Sequence, residues 1–327
     1  MKKILILLSL IFLTVNLRAQ QKIEWNGYSQ FRFTDNYQTQ QAFSLRRVKF
    51  WVNGSSAFYN GNLSYKVQAN FLQQVKYQLL LQDVLIKYKA GNLEVTAGQF
   101  VPDFSLQRKQ PDYSIPFNER SDAVNALVPG AETMGRDIGA EIKLNADRKG
   151  AFSFGFFNGS GANNPAGQNN FLFVNRGSVY LLNNGSASLQ MGYNISYRNA
   201  HNLQFSKIFA PGYFFNGNDF RFGFDELFSL GSFELQAEYL EAHLGNKTAN
   251  GFTALADLLI ADKHLLAISV EQYNDLNLGT EDAPWYAFGY SYLLKGNEIK
   301  FTVNNKFQFT SNKTNSLTTI QIQYFFN

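Results

Sequence analysis

Long stretches of this chain alternate apolar and polar residues with a period of two. Leu63, Tyr65, Val67, Ala69 and Phe71 interleave with Ser64, Lys66, Gln68 and Asn70. Successive side chains of a β-strand point to opposite faces, so each such stretch predicts a strand between an apolar and a wet environment. The pattern returns in Leu189, Met191, Tyr193, Ile195 and Tyr197, which alternate with Gln190, Gly192, Asn194, Ser196 and Arg198. It returns again in Phe233, Leu235, Ala237 and Tyr239 against Glu234, Gln236 and Glu238, and in Ile299, Phe301 and Val303 against Lys300, Thr302 and Asn304. Ile320, Ile322 and Tyr324 alternate with Thr319, Gln321 and Gln323 near the end. The polar faces carry Lys, Arg, Glu and Gln in every third of the chain, too many for the dry core of a secreted sandwich or solenoid. No comparable stretch has helical spacing.

Turn signals divide the alternating stretches into hairpins. Short turns are expected at 54–61, 91–92, 149–150, 183–185, 231, 261–263 and 296–297. Longer polar connections are expected at 35–42, 73–78, 104–134, 159–170, 200–218, 244–250, 276–284 and 310–316. Fifteen connections make sixteen strands. Each strand with its connector averages about 19 residues, which suits strands of about 9–11 residues crossing a bilayer at a tilt. Segments 171–182 and 251–260 alternate poorly. Short turns on one side and long loops on the other predict an all-β fold, a 16-stranded antiparallel transmembrane β-barrel with short periplasmic turns and long external loops. Closure follows from the lipid, because an open edge would leave backbone groups unpaired.

The first residues read differently. Lys2 and Lys3 precede an apolar run from Ile4 to Val15, and Ala19 is a small residue suited to a cleavage site. The run is too short for a spanning helix, which needs about 20 residues, and is expected to be a signal peptide over 1–19. The barrel domain is then 20–327. The net charge of +4 arises from 29 basic and 25 acidic residues. Three of the bases, Lys2, Lys3 and Arg18, sit in the leader, so the remainder is nearly neutral. That balance gives no support for a nucleic-acid partner. The absence of Cys excludes disulfides and thiolate sites. His201, His243 and His264 show no metal spacing, and no HExxH, GxSxG or phosphate-loop motif is present, so neither cofactor, metal nor enzymatic chemistry is expected.

Six segments, in order along the first half of the chain, carry a more specific signal. They are Leu45-Arg46-Arg47-Val48-Lys49-Phe50, Leu81-Gln82-Asp83-Val84-Leu85-Ile86-Lys87-Tyr88 and Ala97-Gly98-Gln99-Phe100-Val101-Pro102-Asp103. Phe117-Asn118-Glu119-Arg120-Ser121, Gly135-Arg136-Asp137-Ile138-Gly139 and Phe157-Asn158-Gly159-Ser160-Gly161 continue the series. Together these segments resemble the phosphate-selective porin O and P family of bacterial outer membranes, and the resemblance implies a homotrimeric outer-membrane porin in contact with lipid, whose third external loop folds inward. It also implies that paired bases near Arg46 and Arg47 line the channel, and that the transported partners are small anionic or polar solutes. The family's phosphate-specific members carry a run of alternating arginines. Here the corresponding stretch, Phe220-Arg221-Phe222-Gly223-Phe224-Asp225, holds only Arg221, so a modest anion preference is expected rather than tight phosphate selectivity.

Candidate pore residues follow from strand parity and from the long loop. Arg32, Arg47, Lys49, Lys66, Lys87 and Lys89 are expected to face the lumen with Glu24, Asp83 and Glu94, a basic wall in the first third of the chain. Asp137, Glu141, Lys143, Glu234, Glu238 and Glu271 are expected to face it from elsewhere, a mostly acidic set. Arg46 falls on the lipid face by parity, so either it snorkels or a bulge re-aims it. The connection 104–134, the longest, is expected to constrict the channel and carries Arg108, Lys109, Arg120, Asp112, Glu119 and Asp122. An adhesin or scaffold that presents loops on a barrel is the alternative function. A charged lumen would serve it no purpose.

Overall fold

The computed structural model describes residues 22–72, 78–164, 169–277, 282–311 and 313–326. The expected signal peptide therefore lies outside the described residues, as does nearly all of the expected 73–78 connection. Sixteen strands form one closed antiparallel barrel. They are β1 (Lys22–Asp35), β2 (Gln41–Phe58), β3 (Gly61–Leu72), β4 (Gln78–Ala90), β5 (Leu93–Phe100), β6 (Asp137–Asn145), β7 (Gly150–Phe157) and β8 (Leu172–Asn183). The second half adds β9 (Ala187–Gln204), β10 (Phe214–Leu230), β11 (Phe233–Leu244), β12 (Lys247–Ile260), β13 (His264–Asn274), β14 (Trp285–Asn297), β15 (Ile299–Phe309) and β16 (Thr314–Phe326). Every strand pairs with its sequence neighbours, and β1 closes on β16 from Gly27↔Phe326 to Asp35↔Thr318. No edge remains for lipid to strand.

The period-2 pattern separates the barrel's surfaces. Phe31, Phe50, Phe71, Phe154, Phe173, Ile268 and Ile322 are exposed large apolar side chains on the outer face. Gln30, Arg32, Arg47, Lys49, Asn194, Glu238, Thr302 and Gln323 are buried on the inner face. Segments 171–182 and 251–260, which alternate poorly, are β8 and β12. Their inward positions include apolar Leu172, Val174 and Leu255, all buried. Leu172 and Val174 pack into the apolar cluster inside the barrel, so protein rather than water lies against them, whereas Leu255 borders a cavity.

Two connections differ from expectation. The long loop expected at 244–250 is a two-residue turn between Leu244 and Lys247, which still pair with each other. Gly245 adopts a φ of +63, the left-handed conformation that a tight hairpin requires. The loop expected at 200–218 shrinks to 205–213 because β9 and β10 extend toward each other.

The connection between β5 and β6, residues 101–136, holds two short helices, α1 (Leu106–Lys109) and α2 (Asp122–Leu127). It runs inside the barrel and is tied to many parts of the wall. The Ser105 N–H donates to Asn194 at 2.9 Å, and the Leu106 and Gln107 N–H groups donate to the Glu238 carboxylate at 3.2 Å each. Lys300 donates to the Tyr113 carbonyl at 2.8 Å, Asn118 to Thr319 at 2.8 Å, and the Asp122 N–H to Glu271 at 2.9 Å. Ser121 caps α2 by accepting from the Val124 N–H. The helix seats Val124, Ala126 and Leu127 in an apolar cluster with Phe205, Ile208, Leu240, Ala242, Leu244 and Ala249. This cluster lies within the barrel. It explains why β11 changes character: Glu234, Gln236 and Glu238 face inward near the short turns, whereas Leu240, Ala242 and Leu244 face inward beneath the loops.

Candidate functional site

The basic wall of β1–β4 is bound to the acids of the inner loop. Lys49 pairs with Asp112, and Arg120 pairs with the same carboxylate. Arg47 approaches it at 3.6 Å. Glu119 meets three arginines: Arg32 at 2.6 Å, Arg46 at 2.5 Å and Arg47 at 2.9 Å. Burial would raise both loop acids, but the surrounding bases hold them well below the usual carboxylate range: Lys49, Arg120 and Arg47 act on Asp112, and Arg47, Arg46 and Arg32 on Glu119. The sequence reading named these acids only as members of the loop. Their partners on the wall lie 63 to 87 positions away along the chain, so no local pattern announces the pairing.

Arg46 is turned inward by a bulge. The β1–β2 register runs Gln30↔Arg47 and then Phe31↔Leu45, skipping Arg46. The extra residue lets two adjacent arginines face the lumen while Leu45 and Phe43 return to the lipid face. A second bulge, opposite Gln68 and Ala69, turns both Gln82 and Asp83 inward.

The remaining candidates divide by their surroundings. Lys66 pairs with Asp83 at 2.9 Å, and Arg136 pairs with the other oxygen of Asp83 at 2.7 Å. Lys87 pairs with Glu94 at 2.7 Å and Lys109 with Asp103 at 3.3 Å. Arg108 is different: among the described residues it has no ion pair, and its Nε is buried without a hydrogen-bond partner. Its guanidinium rests over Gly135, where a Cβ would meet Nε at 2.6 Å. Burial pushes Arg108 down to about 9, assisted by Arg120 and Arg136. Arg221 does not sit among these groups. It is 1% exposed, ion-paired to Asp219 at 2.8 Å, and donates to the Leu127 and Val128 carbonyls at 2.9 and 3.1 Å. The expected solute contact is thus a tie between the wall and the end of α2. Arg176, Arg198 and Asp225 complete a second buried network on the same side, with Arg198 and Asp219 pairing at 2.7 Å. Strand parity put Arg198 on the wet face; it could not show that loops cover that face.

Three cavities of more than 400 Å³ border the loop among the described residues. The outer one, about 680 Å³, is lined by acids Asp122, Glu271, Asp275 and Asp282 against bases Lys207 and Lys313. A middle chamber of about 490 Å³ is lined by Arg32, Arg46, Arg120 and Lys306 against Glu119 and Glu271. The third, about 430 Å³, lies toward the short-turn side. Its bases are Lys49, Lys66, Lys87, Arg108, Lys109, Arg120 and Arg136, and its acids are Asp83, Glu94, Asp112 and Glu141. The lining charge therefore rises from two net negative at the long-loop mouth to two and then three net positive.

A closed sixteen-stranded barrel with an apolar exterior, and a charged interior crossed by one long loop, is the architecture of a bacterial outer-membrane porin. A family profile described as phosphate-selective porin O and P matches residues 17–257, and the chain belongs to that family and resides in the outer membrane. No curated protein matches the chain by sequence. Among solved structures it is similar to OmpF of Salmonella typhi in complex with daunomycin, with a TM-score of 0.70 and 12% identity over 94% of this chain and 98% of that one. It is also similar to the trimer form of Vibrio cholerae OmpT, with a TM-score of 0.64 and 11% identity over 94% and 99%. A mutant of the Rh. blastica porin gives a TM-score of 0.63 and 10% identity over 93% and 100%.

Proposed function

We propose that this porin passes small hydrophilic solutes by diffusion with a modest preference for anions, that residues 1–19 are its signal peptide, and that it works as a homotrimer. The charge of the inner chamber carries the selectivity reading, with seven bases against four acids at its lining. Low-dielectric walls focus the field of such charges on a solute, whatever the net charge of the chain. The trimer form of the similar OmpT supports the oligomeric reading. The preference is modest because most of the bases are already paired with acids, and because salt at about 0.15 M screens charges beyond about 8 Å. Phosphate specificity receives no support from Arg221, which is 1% exposed. The inner loop narrows the path in this reading, since its residues bond to opposite walls.

The test is the reversal potential across a planar bilayer under a salt gradient. Wild-type channels are expected to favour anions. Arg47→Glu combined with Lys49→Glu should move the preference toward cations, more at low salt than at high. A wild-type channel that prefers cations would place selectivity at the acidic mouth and overturn the reading.

A further inference from the structure

We propose that the three-arginine seat now filled by Glu119 is a subsite for organic carboxylates, and that Glu119 is its built-in competitor. The proposal rests on the porin reading above and names the solute class of that channel. The seat is shaped for a planar group with two oxygens. Arg46 grips Glu119 as a fork, Nε to Oε1 at 2.5 Å and Nη2 to Oε2 at 3.0 Å. Arg32 Nη1 adds a second donor to Oε1 at 2.6 Å, and Arg47 Nη2 a second donor to Oε2 at 2.9 Å. Two donors per oxygen match the lone pairs of a carboxylate.

A tetrahedral oxyanion fits less well. Other N–H groups of the same arginines are committed to neutral acceptors. Arg32 Nε and Nη2 donate to Gln321 at 3.0 and 2.7 Å, Arg32 Nη2 also donates to the Asn118 carbonyl at 2.9 Å, and Arg47 Nη1 donates to Gln30 at 2.9 Å. The further oxygens of a phosphate would meet these acceptors rather than new donors. The middle chamber opens from the seat and offers Phe117, Leu255, Trp285 and Leu317, surfaces for an organic body that an inorganic ion lacks.

The present occupant is placed to exchange. The Glu119 side chain is 38% exposed, while those of Arg32 and Arg47 beneath it are 7% and 8% exposed. Three arginines meet Glu119, and of these Arg47 also meets Asp112, so three positive charges face two negative ones and an excess remains for an incoming carboxylate.

The experiment measures block of single-channel chloride current by butyrate and, separately, by inorganic phosphate. Glu119→Gln removes the competitor and should lower the half-blocking concentration of butyrate about tenfold, with that of phosphate moving less than about threefold. Equal shifts, or none, would overturn the proposal. If that variant fails to give a heat-modifiable barrel, Arg46→Lys keeps the charge and removes the fork. It should raise the half-blocking concentration of butyrate about tenfold and that of phosphate less than about threefold; equal losses again overturn it. Wild-type protein that forms no channel would count against the porin reading, whereas conducting channels blocked alike by both ions would count against this seat alone.

Discussion

A buried charge inside the barrel is tolerated only with its partners, and Arg221 shows how sharply. Removing its guanidinium leaves Asp219, 2% exposed, short of one of its two arginines, and takes the donor from the carbonyls of Leu127 and Val128. Breaking a buried pair from one side costs about 3–5 kcal/mol. Arg221→Leu is therefore expected to lower the temperature at which the folded gel band converts to the unfolded one, and adding Asp219→Asn should deepen the loss, because buried Arg198 then loses its carboxylate as well. No change in that temperature would mean that the network contributes nothing. Titration gives two further expectations. Arg108, lowered to about 9 by burial and by its arginine neighbours, is charged at neutral pH and loses its proton as pH rises through that value. Anion preference should then weaken between pH 8 and 10 more in the wild type than in Arg108→Gln, as read by reversal potential. Glu119 and Asp112 behave oppositely, since both are held well below the ordinary range. Their ion pairs persist above the ordinary carboxylate range and down through it, to be lost only as pH falls through the depressed values. The conductance difference between the wild type and Glu119→Gln should therefore stay level from pH 7 to 4, and a step near 4.5 in that difference would contradict the pairing.

Among the elements, the inner loop depends on shapes that the wall provides for it. Gly251 on β12 is one of them: a Cβ there would meet the Ala123 Cβ at 2.4 Å. Bulk at this position pushes α2 away from β12 without touching any charge. Gly251→Val should raise single-channel conductance and its noise while the barrel still forms. Deleting 108–122 removes α1's end and the loop's contacts with β1, β2, β15 and β16, and should raise conductance further. An unchanged value after that deletion would put the narrowest point elsewhere. The bulge at Arg46 belongs to this scale too. Parity along β2 left two routes for an arginine on the apolar face, and the pairing with Glu119 fits the one in which the strand shifts register. The choice depends on a loop acid 73 positions away, which a strand pattern cannot contain.

For the molecule as a whole, closure and the two-faced wall predict a barrel that resists detergent, so unboiled and boiled samples should migrate differently on a gel. Recovery of the native protein in the soluble periplasmic fraction would refute the assignment. The barrel itself was legible in the sequence because a strand's environment is written at a spacing of two residues. The Leu63 to Phe71 stretch is enough to show one face in lipid and the other in water. The same logic failed at 244–250, where polar residues suggested a loop and Gly245 instead closed a hairpin. It also missed the switch on β11 at Leu240, because alternation reports which face is apolar, not what covers it. Sequence alone determined the strand number, the closed sheet and the inward direction of Arg32, Arg47, Lys49 and Lys66. Only the tertiary structure decided which of those charges are free to act. Glu119 and Asp112 reach the basic wall from a loop that crosses the lumen, and Arg221 is buried beneath the end of α2. Charge pairing depends on separations of a few ångströms, and those are set by how the loop packs.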